Sequence, residues 1–351
     1  MSRSENIFEI VPHFVHKHFL WIVVFVYTAS VVAPQLGLEI RELSFGNLIW
    51  LDKSEVKLSL PLIMLSFLLF NAGIGAKTSE LKGLLNHPSS LLVGLAGNIF
   101  IPIAFIYLIK NLMGFWHNVD EAQNILVGLA ILASMPIASS STAWTQNTEG
   151  NLGLSLGLVN FSTILSPLTT PLILHSVGFM TLGDYSEDLH ELADHGTGAF
   201  IAFSIIFPSI LGIALHLLLG EKKVNQIKPY LKFINTVILI LLIYSNAAIS
   251  LPQAFANPDL DFHFIIIIIT LTMCTTLFFA GWLVSKLLHS GKAEQTSLVF
   301  ALGMNNNGGG LVLASMALAD HPLILLPIIF YNLAQHVIAS IVSSKIIKFK
   351  D

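Results

Sequence analysis

Two stretches interrupt otherwise hydrophobic spans of this chain: Pro136-Ile137-Ala138-Ser139-Ser140-Ser141-Thr142 and Gly303-Met304-Asn305-Asn306-Asn307-Gly308-Gly309-Gly310. Lipid cannot hydrogen-bond a freed backbone group, so such breaks are tolerated only where they are buried in protein or line a wet cavity. The breaks lie about 169 residues apart, from Met135 to Met304, close to half of the 351-residue chain. Paired discontinuous helices in corresponding halves indicate the binding site of a secondary transporter.

The composition is that of a polytopic membrane protein. Charged residues make up 11% of the chain, hydrophobic residues 54%, and the mean hydropathy is +0.77. These values exclude a soluble domain of this size. The net charge of −4 gives no footprint for nucleic acid, and no obligate protein partner is evident. The sequence has no phosphate loop or dinucleotide fingerprint, so we expect no enzyme.

Ten apolar stretches are long enough to cross a bilayer, and we therefore predict an all-α membrane protein with ten transmembrane helices. Five helices per half is an odd number, which gives two inverted five-helix repeats, 19–178 and 195–346, with broken crossing helices four and nine. Residues 1–18 are expected to form a cytoplasmic N-terminal segment. The predicted spans are 19–38, 56–76, 88–110, 124–147, 151–178, 195–219, 228–251, 262–289, 293–319 and 321–346.

Lysine and arginine are distributed unevenly between the two sides of these spans. With the N-terminus inside, thirteen of them fall on the inside and only Arg41, Lys53, Lys57 and Lys110 on the outside. Because cytoplasmic loops are enriched in positive charge, this predicts a multi-pass protein with both termini cytoplasmic. We expect it in a bacterial inner membrane.

The polar residues within the spans are almost all neutral. Hydroxyl and amide oxygens with freed carbonyls suit a hard monovalent cation, while half-helix N-termini suit an anion. The alternative is that single Ser, Thr and Asn residues only join helices or satisfy a kink. His336 could relay protons or be a neutral core histidine. We predict that the following residues contact the substrate: Asn98, Ser139, Ser140, Asn305, Asn306, Asn332 and His336.

One further histidine pair lies in an acidic stretch. His190 and His195 flank Glu191, one residue out of register for a zinc metalloprotease helix. We therefore interpret them as solvated residues of an outside loop rather than as metal ligands.

Four segments of the chain resemble the bile acid:sodium symporter family. Gly303-Met304-Asn305-Asn306 resembles the family's Gly-Met-Gln-Asn signature in helix nine, and Asn332-Leu333 with Ala339-Ser340 resembles helix ten. The other two likenesses are to the junction of helices two and three and to helices four and five. They are carried by Phe70-Asn71-Ala72-Gly73-Ile74 with Leu81–Pro88, and by Met135–Ser155 with Ser162–Pro171.

The resemblance implies a division into two parts. Spans 19–76 and 195–251 would form a panel, and spans 88–178 and 262–346 a core that contains the broken helices. The substrate cavity would lie between panel and core.

The chain departs from the family at its sodium ligands. The Glu that the family's two sodium sites share matches Ala301, and the helix-five Thr that follows a Ser matches Val159. The resemblance implies a sodium ion as the coupled ion. The residues left to hold it are Ser141, Thr142, Ser155, Asn160 and Met304.

We therefore predict a secondary active transporter of a small organic anion that works by alternating access, with sodium coupling altered or lost. A proton-coupled or uncoupled carrier of the same fold is one alternative. A transporter-like receptor or channel is another.

Overall fold

A computed structural model describes residues 11–12, 14–15, 18–49, 55–75, 88–196, 200, 202–256 and 258–348. The described chain divides into two compact units. The first unit falls within Met1–Ala76 and Ala199–Asn257, and the second within Lys77–Gly198 and Pro258–Asp351. Most of the proposed N-terminal segment and the family-like stretch 81–87 lie outside the described residues.

The first unit begins with a sharply bent helix pair. Helix α1 (Phe19–Val32) is apolar throughout and ends before Pro34, which cannot continue its hydrogen bonding. Helix α2 (Gln35–Glu42) then turns by 90°. The predicted span 19–38 is therefore not one straight helix.

An antiparallel hairpin follows, which the sequence analysis missed. Strand β1 (Ser44–Ile49) pairs with strand β2 (Glu55–Ser59), with an irregular register near Gly46 at φ 117°. The predicted all-α class is therefore wrong in this segment, and span two begins at α3 (Leu60–Gly75) rather than at residue 56. Pro61 lies in the first turn of α3, where its missing N–H costs no helical hydrogen bond.

The rest of the first unit is the long element α9 (Phe207–Ala256), which combines predicted spans six and seven. A π-helical turn, Ala202–Ile206, precedes it. Its backbone is not helical at Gly220, with φ 74° and ψ 160°, so α9 consists of two helices joined by a kink that directly follows predicted span six. The first part of α9 packs against α3 where Gly73 and Gly212 meet. A Cβ atom at either glycine would clash with a backbone carbonyl oxygen of the other helix.

The second unit contains the remaining helices. They are α4 (Pro88–Met113), α5 (Val119–Ser134), α6 (Ser140–Asn147), α7 (Leu152–Gly178), α8 (Asp184–Glu191), α10 (Leu260–Leu287), α11 (Lys292–Gly303), α12 (Asn307–Ala317) and α13 (Leu325–Lys348). A π-helical turn, Leu192–Gly196, follows α8, and a 3₁₀ turn, Pro322–Ile324, precedes α13.

Side-chain caps define where several of these helices start. Asn118 accepts hydrogen bonds from Asp120 N and Glu121 N at α5, and Asn151 accepts one from Leu154 N at α7. Asp259 and Asn306 cap α10 and α12 in the same way. Each cap satisfies a first-turn N–H that has no partner within its helix.

The lengths and hydropathy of the helices identify an integral membrane protein. Within the described residues, five helices are long and apolar enough to cross a membrane, or six if the bent pair α1–α2 is one span. The halves of the two broken spans, α5–α6 and α11–α12, are individually shorter than 18 residues and are not among the five.

Candidate functional site

The two helix breaks cross each other inside the second unit. Ile137 and Asn305 form an isolated antiparallel bridge. Ala138 N donates to Met304 O at 2.9 Å, and Asn306 N donates to Pro136 O at 2.9 Å. The backbone groups that each break frees are therefore satisfied by the other break, which is how irregular backbone is tolerated inside a membrane protein. We call this point the crossing.

Proline chemistry explains the first break. Pro136 has no N–H and disfavours helical backbone at the residue before it. Met135 accordingly adopts an extended conformation, with φ −79° and ψ 144°. Helix α5 therefore ends at Ser134, two residues before the proline.

A network of buried amides surrounds the second break. Asn305 N donates to Gln335 Oε1 at 3.2 Å, and Gln335 Nε2 donates to Asn332 Oδ1 at 3.2 Å. Asn307 Nδ2 reaches the same Asn332 oxygen at 3.4 Å. We call these four residues the amide network. Among the described residues, the buried Oδ1 atoms of Asn305 and Asn307 have no hydrogen-bond partner. Two acceptor oxygens therefore remain available to a donor or a cation.

A pair of buried hydroxyls lies on α6, directly after the first break. Ser141 and Thr145 are one helical turn apart and each is 0% exposed. Neither hydroxyl has a hydrogen-bond partner among the described residues. We call them the hydroxyl pair. Beside Ser141 in the chain, Thr142 Oγ1 accepts a hydrogen bond from Ser155 Oγ of α7 at 3.2 Å. These neutral oxygens are of the type that binds a hard monovalent cation.

Ala301, which the resemblance matches to the family's shared Glu, lies in an apolar cluster. It is 0% exposed and packs with Leu95, Ile137, Leu154, Leu158, Val159 and Leu298. An apolar environment of this kind offers a cation no oxygen ligand and penalises an unpaired charge. The structure therefore does not reproduce a carboxylate-based sodium site at Ala301.

Asn160 and Met304, the two remaining expected ion ligands, are less favourably placed than the hydroxyls. Asn160 follows Ser155 by five positions on α7, so it points about 140° away around the helix. It is half-buried, whereas Ser155 is fully buried. The Met304 carbonyl oxygen already accepts a hydrogen bond at the crossing.

The residues expected to contact the substrate differ in their burial and in their hydrogen bonds. Asn306 accepts a hydrogen bond from Gly309 N at 3.2 Å and so caps α12. Asn98 is buried on α4, and His336 is half-buried on α13. Ser139 is exposed and Ser140 partly buried at the start of α6.

Three polar residues satisfy the broken backbone, a role that the sequence analysis considered for single Ser and Thr residues as the alternative to substrate binding. Ser162 Oγ accepts a hydrogen bond from Ile137 N at 3.1 Å. Thr170 Oγ1 donates to Ser134 O at 2.7 Å, and the Tyr331 hydroxyl donates to Gly303 O at 3.2 Å. Each lies on a continuous helix opposite a break. Their polarity is visible in the sequence, but their partners are distant in the chain.

His190 is not solvated as the sequence suggested. Its Nδ1 lies 2.7 Å from Nδ1 of His175, whose Nε2 lies 3.1 Å from Asp194 Oδ1. The carboxylate of Asp194 can accept a hydrogen bond from His175 Nε2, and the two Nδ1 atoms can share another. No group of three or more His, Cys, Asp or Glu side chains in the described part of the chain could hold a metal ion. His195 lies outside the described side chains.

A second contact joins α8 to the turn before α13. His321 Nε2 lies 3.6 Å from Asp188 Oδ2. Burial raises the pKa of Asp188, and the His321 imidazole opposes that change. Burial likewise raises the pKa of the neighbouring Tyr185.

A cavity of about 850 Å³ lies elsewhere in the second unit, between α10, α11 and α13. Its lining is mostly apolar, with Trp282 and Phe278 on one side and Lys292, Lys345 and Glu149 among its charged residues. None of the residues predicted to bind substrate or ion lines it.

The sequence is similar to a family of transporters. The model of the Sodium Bile acid symporter family matches residues 62–256. The uncharacterized sodium-dependent transporter YocS of Bacillus subtilis is 22% identical over 352 residues, which cover 98% of this chain and 96% of that protein. The uncharacterized protein YbaS of the same organism is 24% identical, over 81% of this chain and 88% of that protein. Sodium/bile acid cotransporter 7 of Danio rerio is 24% identical, over 81% and 83% respectively.

Proposed function

Because the chain belongs to the sodium bile acid symporter family, we propose that it is a secondary transporter that carries a small organic anion by alternating access. Members of this family are symporters, so the chain is a transporter and not an enzyme. The observation that carries the proposal is the crossing, with buried oxygens beside it that have no hydrogen-bond partner among the described residues. A carrier needs such a site in the middle of its membrane domain.

In this proposal the substrate's negative group faces the starts of α6 and α12. The N-termini of these half-helices carry partial positive charge, and Ser139, Ser140, Asn305 and Asn306 lie there. Asn332 and His336 of α13, and Asn98 of α4, would complete the binding surface.

The coupled ion in this proposal is a single, weakly bound sodium ion. The hydroxyl pair, Thr142 and Ser155 would supply its oxygens. Without a carboxylate the ion loses its charge-assisted contact, and a loss of about 2.7 kcal/mol weakens affinity roughly a hundredfold. We therefore propose that sodium dependence is absent or needs unusually high sodium.

The proposed topology has ten spans in two inverted repeats, with both termini cytoplasmic. Contacts within the second unit support it, because they join chain segments that the charge distribution places on one side. Asn151 N donates to Ala293 O at 2.9 Å, where both segments are expected inside. On the expected outside, His321 approaches Asp188, and His117 approaches Asp261 at 3.3 Å.

Uptake into proteoliposomes tests the function. Purified protein should take up or exchange members of a panel of radiolabelled carboxylates, and uptake should exceed that in choline only at unusually high external sodium. Protein-dependent uptake that is equal in sodium and choline would remove the ion from the proposal and leave the carrier. Absence of any protein-dependent uptake or exchange would contradict the transporter.

A further inference from the structure

A close helix contact brings an arginine into the interior of the first unit. A Cβ atom at Gly37 of α2 would lie 2.6 Å from the Ala248 side chain and 3.3 Å from Ser245 Cα. Only glycine therefore allows α2 to lie so close to α9. Arg41 follows Gly37 by one helical turn and lies on the same face of α2, which also buries Ile40.

Arg41 uses this position to bind a buried asparagine. Its Nη1 donates to Asn246 Oδ1 at 2.6 Å, and Asn246 is 0% exposed. A guanidinium group has only donors, so the contact fixes the amide with Oδ1 facing Arg41 and Nδ2 turned away from it. Nδ2 is buried and has no hydrogen-bond partner among the described residues.

A second unpartnered group lies on the same face of α9. Ser250 follows Asn246 by one helical turn and is also 0% exposed. Its hydroxyl has no hydrogen-bond partner within the described chain. An amide N–H and a hydroxyl O–H therefore remain available near the guanidinium group, and a buried polar group without a partner is costly.

Among the described residues, no carboxylate pairs with the guanidinium group of Arg41. Glu39 and Glu42 of the same helix are exposed. The sequence from Phe233 to Ala256 contains no Asp, Glu, Lys, Arg or His. A partly buried cation normally has an anionic partner, which these residues do not provide.

We infer that the first unit contains an anion-binding site formed by Arg41, Asn246 and Ser250. Its ligand is a small monovalent anion, a chemistry shared by the carboxylate group of a transported substrate and by free chloride. The planar guanidinium fork matches a carboxylate in a bidentate manner. The identification of the anion as a transported substrate's carboxylate rests on the proposed function. Its identification as chloride does not.

Thermal unfolding of the purified protein tests this site. Sodium acetate and sodium chloride are titrated separately, with the sodium concentration held constant by the bulky dianion PIPES. We expect a saturable rise in the unfolding midpoint of the wild type. The half-maximal anion concentration should increase at least tenfold in Arg41→Gln. It should not change in Lys57→Gln, which removes an exposed cation from the same unit.

Asn246→Asp provides a second test that does not depend on the loss of Arg41. The new carboxylate would occupy the place of the anion beside the guanidinium group. We therefore expect a variant that unfolds at a higher temperature than the wild type in PIPES and no longer responds to acetate or chloride. A response to acetate alone identifies the carboxylate as the ligand, and a response to both includes chloride.

The outcomes separate this inference from the proposed function. If neither anion changes the wild-type midpoint saturably, or if Arg41→Gln responds like the wild type, the anion site is wrong. Uptake of a carboxylate in proteoliposomes would then still support the carrier. If an anion stabilises the protein through Arg41 but no uptake is found, the anion site is supported and the carrier is contradicted.

Discussion

Ser141 and Thr145 are buried hydroxyls that the protein leaves without partners. A buried hydroxyl without a partner lowers stability, so its replacement by an apolar group of similar shape is expected to cost little. We expect Ser141→Ala combined with Thr145→Val to keep the unfolding midpoint at or above that of the wild type. Uptake per folded protein should nevertheless fall at least tenfold in proteoliposomes, because the ion loses two oxygens.

The control for this double variant is Thr148→Val on the same helical segment. Thr148 Oγ1 donates to Trp144 O at 2.8 Å, so this change removes a satisfied hydroxyl. It should lower stability while leaving uptake per folded protein close to normal. If the double variant unfolds earlier and transports normally, the hydroxyl pair is structural.

Ala301 provides a second test of single residues. A Glu introduced there would be buried among Leu154, Leu158 and Val159, and an unpaired buried charge costs several kcal/mol. We expect Ala301→Glu alone to destabilise the protein. In combination with Val159→Thr, which adds an oxygen, Ala301→Glu should create a sodium site. At a sodium concentration of a hundred times the Kd of that site, bound sodium would stabilise the fold by about 2.7 kcal/mol.

The measurement is the unfolding midpoint in sodium and in potassium. Ala301→Gln with Val159→Thr has the same size without the charge and should show no difference between the two ions. A strong, two-ion sodium response of the wild type would show that the missing carboxylate matters less than we propose.

At the level of helices and strands, the sequence located both breaks but not the contacts that satisfy them. Proline and the Asn–Gly run weaken a membrane helix locally, so the positions at Pro136 and Asn305 are predictable. The partners Ser162 and Gln335 come from distant helices, and no local pattern specifies them.

The hairpin was missed for a related reason. Hydropathy measures the apolar length of a segment and not its backbone conformation, so the strand Glu55–Ser59 was counted into a span. The break between spans six and seven was predicted, but its shortness was not, because one glycine with a positive φ is enough to redirect the chain at Gly220.

The hydrogen bond from Ile137 N to Ser162 can be tested by mutation. Ser162→Ala would leave this buried N–H without an acceptor, at a cost of about 1–3 kcal/mol. The control is Ser176→Ala on the same helix, where the hydroxyl only donates to Leu172 O one turn earlier. Denaturant unfolding should show a lower free energy of unfolding for Ser162→Ala and little change in it for Ser176→Ala. Equal effects would argue that the bond does not stabilise the crossing.

The contact between α3 and α9 gives a matched pair of glycines. A Cβ atom at Gly73 would clash with the Ser209 carbonyl oxygen, whereas nothing lies within 4 Å of one at Gly75. We expect Gly73→Ala to destabilise the protein by about 1–3 kcal/mol through overpacking. Gly75→Ala should be close to neutral in the same unfolding assay. A neutral Gly73→Ala would show that these helices can move apart at little cost.

For the whole molecule, the topology can be tested on either side of the membrane. Phe115 is 92% exposed in a segment expected outside, and Lys222 is exposed in a segment expected inside. In a Cys274→Ala background, an impermeant maleimide should label Phe115→Cys in intact cells. It should label Lys222→Cys only after the cells are permeabilised. The reverse pattern would place both termini outside.

The motion of the carrier is the property that hydropathy and a single structure reveal least. Ser139 is exposed at the first break, so a cysteine there reports which side of the membrane reaches the proposed site. If the protein alternates, Ser139→Cys should be labelled from the outside in spheroplasts and from the inside in inverted vesicles. A transported anion should raise one rate and lower the other, because it shifts the population between two states. Labelling from one side under every ion and substrate condition would indicate a static receptor, and simultaneous access from both sides would indicate a pore.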